Sequence, residues 1–347
     1  MSTENLILKN TQDARKFYSF ESSQNPRIIS DYWFQDTIEG KTLFLVFYTQ
    51  ACRYSKCMGC NLPSKMSQHY INFRDIMKQI DSVFNNILDD VDKSEISKFI
   101  VSNNGSVLDE HTFSTSALIY LIAKINLECP NVKVVSLETR PEHVEVEELE
   151  VLCRALSEGN SPTALELAIG VEAFDDRIRN EIFNKGLNLD KIDKLTQMMA
   201  EVNERFHLRY PGKKSKLMLK TYFMLKPIPQ LSEEDAIQDI QNGIEYLSIL
   251  SDKYSIDVNM HLNPTYVAKG TLLEKEFRNG SFSPPMLQSV RKAVLNGKDK
   301  GITIFVGTND ENLAVEGGSF VNRDRKEDVE LIEKLEIFNI SQDYHKL

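Results

Sequence analysis

Three cysteines stand within nine residues, Cys52-Arg-Tyr-Ser-Lys-Cys57-Met-Gly-Cys60, directly after the apolar run Leu43-Phe-Leu-Val-Phe-Tyr-Thr49. Clustered thiolates form a soft ligand set, the kind that holds iron in iron–sulfur clusters. No fourth cysteine lies nearby, so a cubane cluster bound here would keep one iron open to a small molecule. The alternatives are tetrahedral zinc held by the three cysteines and His69, nine residues past Cys60, or a disulfide with one thiol left over. The opening residues lack the basic start and long apolar stretch of a secretory signal, so a cytoplasmic setting with reduced thiols is expected. Reduced thiols favour the cluster. Cys129 and Cys153 lie in apolar helix-like surroundings and read as buried small hydrophobes.

Short β-branched or aromatic runs alternate with longer amphipathic stretches and must position these thiols. Strands are expected near Leu43, Phe99, Val132, Leu165, Leu217 and Ile256, with a seventh at Ile302–Val306. Helical spacing marks 73–91, 111–127, 144–156, 190–206 and 232–250; one apolar face is formed by Ile76, Ile80, Val83, Phe84, Ile87 and Leu88. This rhythm predicts an α/β fold, a partial (β/α)6 TIM-type barrel with parallel strands and right-handed crossovers. Residues 1–41 read as a polar, irregular N-terminal extension, 42–306 as the barrel, and 307–347 as a C-terminal extension ending in a charged helix, Arg325–Phe338.

Composition sets bounds. The 347 residues are 41% hydrophobic, enough for one barrel-sized domain, and no run approaches the roughly 20 apolar residues of a membrane span. A net charge of −10 makes a poor generic binder of phosphate backbones. The one notable basic patch is Lys213-Lys214-Ser-Lys216 with Arg205, Arg209 and Tyr210, which also reads as a solvated loop.

In parallel barrels the chemistry sits where strands end. Those positions are polar here: Ser102-Asn-Asn-Gly-Ser106, Glu138-Thr-Arg140-Pro141, Gly170-Val-Glu172, Lys220 and Tyr222 ahead of Lys226-Pro-Ile-Pro229, and His261-Leu-Asn263-Pro264-Thr265. Glu138 and Arg140 could also be a structural ion pair. Lys220, Tyr222 and His261 are candidates for substrate contact or proton transfer, or else interior packing.

With these motifs in order, the chain resembles the radical S-adenosylmethionine enzymes, most closely the branch of the archaeosine synthase radical subunit and the Elongator catalytic subunit. The resemblance spans about residues 42–300. It is carried by the cysteines, Ser136-Leu-Glu-Thr-Arg-Pro-Glu142, Ala168-Ile-Gly-Val-Glu172, Asn184-Lys-Gly186, Leu225-Lys-Pro227, Ser232-Glu-Glu-Asp-Ala236, Asn263-Pro-Thr265, Gly270-Thr271, Pro284-Pro285 and Ser289-Val290. The resemblance implies that Cys52, Cys57 and Cys60 hold a [4Fe-4S] cluster whose open iron chelates S-adenosylmethionine. Asn104, Gly105 and Ser106 would line its methionine end. Glu138 and Arg140 would meet its amine, carboxylate or ribose, and Glu172 the ribose. Reductive cleavage would then yield a 5′-deoxyadenosyl radical that takes hydrogen from the substrate. The resemblance further implies a one-electron donor of the flavodoxin or ferredoxin type and a tRNA nucleoside as substrate, whereas the acidic balance of the chain favours a small molecule. A partner subunit could supply RNA binding, and no membrane is involved. Two features depart from the family pattern. The first cysteine gap is one residue longer than the common C-x3-C-x2-C, and Gly59 stands where an aromatic often packs near the adenine, so that contact must come from elsewhere. A zinc-stapled, non-enzymatic interaction domain is the alternative of another class.

Overall fold

The computed structural model describes residues 2–213, 215–322 and 324–347. Its centre is one eight-stranded sheet in sequential order: β1 (Asp31–Thr37), β2 (Gly40–Val46), β3 (Ile96–Ser102), β4 (Val134–Thr139), β5 (Ala164–Glu172), β6 (Leu217–Leu225), β7 (Val258–Pro264) and β8 (Thr303–Val306). From β2 onward every neighbouring pair is parallel. The curled, half-barrel sheet is the expected partial TIM-type architecture. The helices are α1 (Thr3–Asp13), α2 (Phe73–Ser82), α3 (Thr115–Glu128), α4 (Val146–Leu156), α5 (Leu189–Arg209), α6 (Glu233–Tyr254), α7 (Leu272–Arg278), α8 (Leu287–Leu295) and α9 (Lys326–Ser341). None is long and apolar enough to cross a membrane.

Period-two alternation divides the strands between two environments. Leu43, Leu45, Phe99, Val101, Val135, Leu137, Leu165, Leu167, Leu219, Phe223, Met260 and Leu262 join the helices in one apolar core. The opposite face carries Lys98, Ser102, Glu138, Glu172, Lys220, Tyr222 and His261 and lines a cavity of about 650 Å³. A concave polar face is therefore built into the strands themselves. The helices on the outer face are capped where the chain requires it: Ser114 accepts from Ser116 N at 3.2 Å to start α3, and Ser232 from Asp235 N at 3.0 Å to start α6.

Residues 31–37, read from sequence as irregular, form an antiparallel edge strand on β2, with Trp33 stacked on Phe44 at 4.1 Å. The first connection is thus a hairpin rather than a crossover. The other edge of the sheet is closed by α9. Asn339 accepts from Val306 N at 2.8 Å and donates to Val306 O at 2.9 Å. Gln342 repeats the pattern on Ile304 at 3.2 and 2.9 Å. Three residues apart on a helix, the two amides match a two-residue step on the strand and satisfy the edge as a ninth strand would. The Asn339 carbonyl also accepts from Ile38 N at 2.9 Å, so α9 stands between the two ends of the sheet.

Candidate active site

The cysteine loop leaves the C-terminal end of β2, and all three thiols face the cavity. Two long-range contacts hold the loop. Arg53 is bidentate on Asp109, at 2.5 and 2.7 Å, and the Tyr54 hydroxyl donates to Asn184 O at 2.8 Å. The β3 loop comes close to the cysteine loop at Gly105, where a Cβ would stand 3.2 Å from Cys52 Cα, so a side chain there would push the loops apart. Asn104 beside it adopts a left-handed φ of 54°, a conformation Asn tolerates better than most residues.

Nearly every residue singled out from sequence meets in this one cavity: Cys52, Cys57, Cys60, Asn104, Gly105, Glu138, Arg140, Glu172, Lys220, Tyr222 and His261. Ser106 does not line it. Its hydroxyl lies within the wall, 2.5 Å from Thr139 Oγ1 and accepting from Arg140 N at 3.3 Å. Glu138 and Arg140 are not an ion pair with each other. Glu138 accepts from Ser102 Oγ at 2.5 Å and Tyr222 Oη at 2.8 Å. Arg140, just past the end of β4, donates to Glu142 at 2.5 Å and stacks on the Tyr54 ring at 4.0 Å. The guanidinium thereby braces the cysteine loop. Glu172 follows a register shift in β5, has a φ of 73° and takes a 2.6 Å bond from Lys185, so the Asn184-Lys-Gly186 turn supplies its counter-ion.

The barrel floor is a charged network. Lys98 Nζ bonds Glu39 at 2.8 Å and Glu166 at 2.7 Å, and Asn259 donates to Glu166 at 2.8 Å. Burial alone would raise the Glu166 carboxyl, but Lys98 and Lys220 outweigh it and hold the group down at about 2. Burial, with Lys98 adding to it, pushes the Lys220 ammonium down to about 8. Burial, then Lys220 and Lys98, push His261 down to about 3, so its imidazole is neutral at physiological pH. Burial likewise raises Glu138, against the hydrogen bonds it accepts. Tyr222 is raised by burial and by Glu138, which keeps its proton on the phenol.

The donor set can be tested against the two metal readings. Among the described residues, no three Cys, His, Asp or Glu side chains converge as they would around a single ion. His69, the fourth ligand of the zinc alternative, is 63% exposed and 3.1 Å from Glu4, away from the cysteines. A cluster spreads its ligands around several irons, and its thiolates carry net negative charge. That charge fits the surroundings. Lys185, Arg140 and Lys16 all act on Cys57 to favour its thiolate, although burial outweighs them and raises the thiol. Burial pushes the Cys60 thiol up to about 11, with Lys16 opposing, so metal loading here must expel protons. The Lys16 ammonium is itself buried without a hydrogen-bond partner among the described residues. A buried cation with no hydrogen-bonded partner, 5.6 Å from the Tyr18 ring and acting on Cys57 and Cys60, fits an anionic metal–sulfur group.

Sequence reasoning overlooked Lys16, Lys185, Phe183, Trp33 and Glu311, all of which line the cavity. Phe183 packs beside Gly59, so an aromatic ring does stand next to the last cysteine but comes from after β5. Glu311, on the loop after β8, is pushed up to about 7 by the surrounding protein and by Glu138. Only the Asn184-Lys-Gly186 motif carried a signal for any of these residues. The basic patch falls elsewhere. Arg205 and Arg209 both pair with Glu150 (2.7 and 3.2 Å), Lys213 pairs with Glu158 (3.1 Å) and Lys216 with Asp257. Lys214 lies outside the described residues. The turn precedes β6, at the opposite end of the strands from the cysteine loop.

The chain is 29% identical over 266 residues to archaeosine synthase subunit beta of Methanosarcina acetivorans, covering 75% of this chain and 68% of that one. With the protein of the same name from Thermococcus kodakarensis it shares 26% over 281 residues, 78% and 77% of the two chains. The chain is similar to the archaeosine synthase beta subunits. The resemblance read from the motifs holds at the level of that group. An uncharacterized protein of Methanocaldococcus jannaschii is 24% identical over 326 residues, covering 91% of this chain and 82% of its own length. No protein-family model matches the chain. The solved structure of Elp3 from Methanocaldococcus infernus, lacking its first residues, superposes with a TM-score of 0.45 at 12% identity. That overlay covers 67% of this chain and about half (51%) of the other, too loose a likeness to argue from.

Proposed function

We propose that this protein is a radical S-adenosylmethionine enzyme that modifies a nucleoside in tRNA. Cys52, Cys57 and Cys60 would hold a [4Fe-4S] cluster, and Asn104, Gly105, Glu138 and Glu172 would line the S-adenosylmethionine site. The chemistry that this cofactor pair supplies when bound is one-electron cleavage of the sulfonium, producing a hydrogen-abstracting radical. The protein's own residues position and shield. Arg140 and Tyr54 brace the cysteine loop by stacking at 4.0 Å. Tyr222 and Ser102 fix the Glu138 carboxyl through two hydrogen bonds. Lys220, pushed down to about 8, can take or give a proton near neutral pH, whereas His261 offers a neutral imidazole as hydrogen-bond partner.

The observation that carries this reading is the meeting of three thiols and the polar strand ends in one cavity. The name of two relatives, archaeosine synthase subunit beta, supports a nucleoside as substrate. A cavity of about 650 Å³ is the size of a small-ligand pocket, so an RNA substrate would have to present a single extruded residue. Arg205, Arg209, Lys213 and Lys216 are each paired with a carboxylate, which favours RNA binding by a separate subunit, in line with the "subunit beta" in the relatives' names. The same pairing also supports a second reading, a small metabolite as substrate.

Anaerobic reconstitution with iron and sulfide, followed by dithionite and S-adenosylmethionine, tests the proposal. Release of 5′-deoxyadenosine is the expected outcome. A colourless, zinc-loaded protein without that product would overturn it. Stimulation by bulk tRNA, alone or with a partner subunit, would select the first substrate reading, and stimulation by a metabolite extract the second.

A further inference from the structure

The segment ahead of the barrel is threaded into the site. The chain leaves α1 through Arg15, whose φ of 54° turns it back on itself, and Lys16 N bonds Thr11 O at 3.2 Å. Phe17 N then donates to Gly270 O at 2.9 Å. Gly270 has a φ of 77°, and a Cβ there would lie 2.7 Å from Tyr18 Cβ, so glycine is what allows the two segments to meet. Asn10 on α1 donates to Arg53 O at 2.8 Å, tying the same unit to the cysteine loop. Lys16 is thus fixed from both sides. It is 8% exposed and lines the cavity with Cys52, Cys57 and Cys60. Its ammonium and the side-chain oxygen of Asn61, next to Cys60, are buried without hydrogen-bond partners among the described residues.

We infer that Lys16 is the fixed counter-ion of the metal–sulfur group and favours its reduced, more negative state. The inference rests on the cluster reading above. One electron enters from an external one-electron donor, no proton is taken up, and the lysine keeps its charge. A positive charge held beside the cluster offsets part of the cost of the added electron, because nearby charge and hydrogen bonds help set cluster potentials.

The test uses the full chain, reconstituted anaerobically, with Lys16→Met, Lys16→Gln and Lys16→Arg beside the parent. The readouts are iron and sulfide content, and the midpoint potential from a titration followed by electron paramagnetic resonance without S-adenosylmethionine. Lys16→Met is expected to load as the parent does, with a reduction equilibrium about tenfold less favourable, which is about 59 mV for one electron. Lys16→Arg is expected to stay near the parent value. A parent-like potential in Lys16→Met overturns the inference. So does an effect confined to S-adenosylmethionine affinity in the oxidised protein, which would assign the ammonium to the cofactor's carboxylate. If Met and Gln variants both fail to load while Arg loads, the need for a cation is supported by loading itself. If Arg fails too, the side chain acts through shape and the inference falls. A parent protein that takes up no cluster would refute the underlying reading instead.

Discussion

Lys98 and Lys16 are buried ammonium groups in the wall of one cavity, and the fold treats them oppositely. Lys98 is bonded to two carboxylates, one of which is itself held by Asn259. Lys16 has no hydrogen-bond partner among the described residues; it lies 5.6 Å from the Tyr18 ring and acts on the thiols of Cys57 and Cys60. A buried charge is tolerable when paired and hydrogen-bonded, and costly otherwise. The pairing of Lys98 marks the floor as scaffold. The lack of a hydrogen-bonded counter-ion at Lys16 among the described residues marks the cysteine end as a place where protein alone does not complete the electrostatics.

The sharpest way to break this contrast is at the thiols. Cys57→Ala should abolish cluster uptake and 5′-deoxyadenosine release together, while leaving the stability of the metal-free chain close to that of the parent. Iron and sulfide analysis alongside urea unfolding would check both halves. Parent-rate product formation by the variant would show that the ligands are misassigned. A large loss of stability would show that the cysteine end is scaffold after all.

Next in size is the floor. Lys98→Met leaves Glu166 and Glu39 without their cation and should cost about 3–5 kcal/mol in urea unfolding. Lys16→Met in the metal-free protein should lose no stability, since it strands no bonded partner and removes a buried charge that lacks one. Equal losses in the two variants would erase the distinction. The pH sense follows from Glu166, held at about 2 against an ordinary 4.5. Its stabilising contribution is present above 4.5 and is lost as pH falls toward 2, so the parent should show an acid-destabilisation limb that Lys98→Met lacks.

Lys220 sits between the two cases, buried on the floor but without a hydrogen-bonded carboxylate of its own. Its folded value of about 8 lies below the ordinary 10.5. Between those values the unfolded chain binds more protons, so this group makes the folded state gain stability as pH rises from 8 to 10.5. The gain is ~2–3 kcal/mol as an order of magnitude. Comparing the slope of stability against pH in the parent and in Lys220→Met isolates it from other titrations. Substrate-dependent turnover should also lose an inflection near pH 8 in that variant.

How far the sequence predicted this arrangement depends on the range of each interaction. The parallel strands from β2 to β8 were legible because their apolar runs are buried on the helix side and their lengths match strand geometry. The polar strand ends were legible as a set, and they do converge. The edge strand Asp-Tyr-Trp-Phe-Gln-Asp-Thr was not, because a half-exposed strand mixes aromatic and acidic residues without an apolar run. Glu138 and Arg140, two residues apart, looked like an ion pair. The strand ends between them, so one turns to Tyr222 and the other to Tyr54. Lys16 was invisible because its meaning depends on a turn at Arg15 and a contact with Gly270, more than 250 positions away.

The closure by α9 offers the smallest and most local test of the same rule that pairing marks scaffold. Asn339 makes both of its amide bonds to one residue of the β8 edge, and its own carbonyl takes the Ile38 amide. Asn339→Ala strands the Val306 N–H and carbonyl and should cost about 1–2 kcal/mol. The Ile38 bond comes from the backbone and should survive. The loss should therefore appear as a lower urea midpoint together with faster hydrogen exchange at Val306 and Ile304, with Ile38 little changed. Gln342→Ala should loosen Ile304 alone, because its amide oxygen accepts at a longer 3.2 Å and it touches no other strand. Exchange that quickens throughout β8 and β1 equally would mean that α9 is held by its apolar residues Leu331, Leu335 and Phe338 rather than by the amide pair. The helix would then be a packed lid, not a surrogate strand.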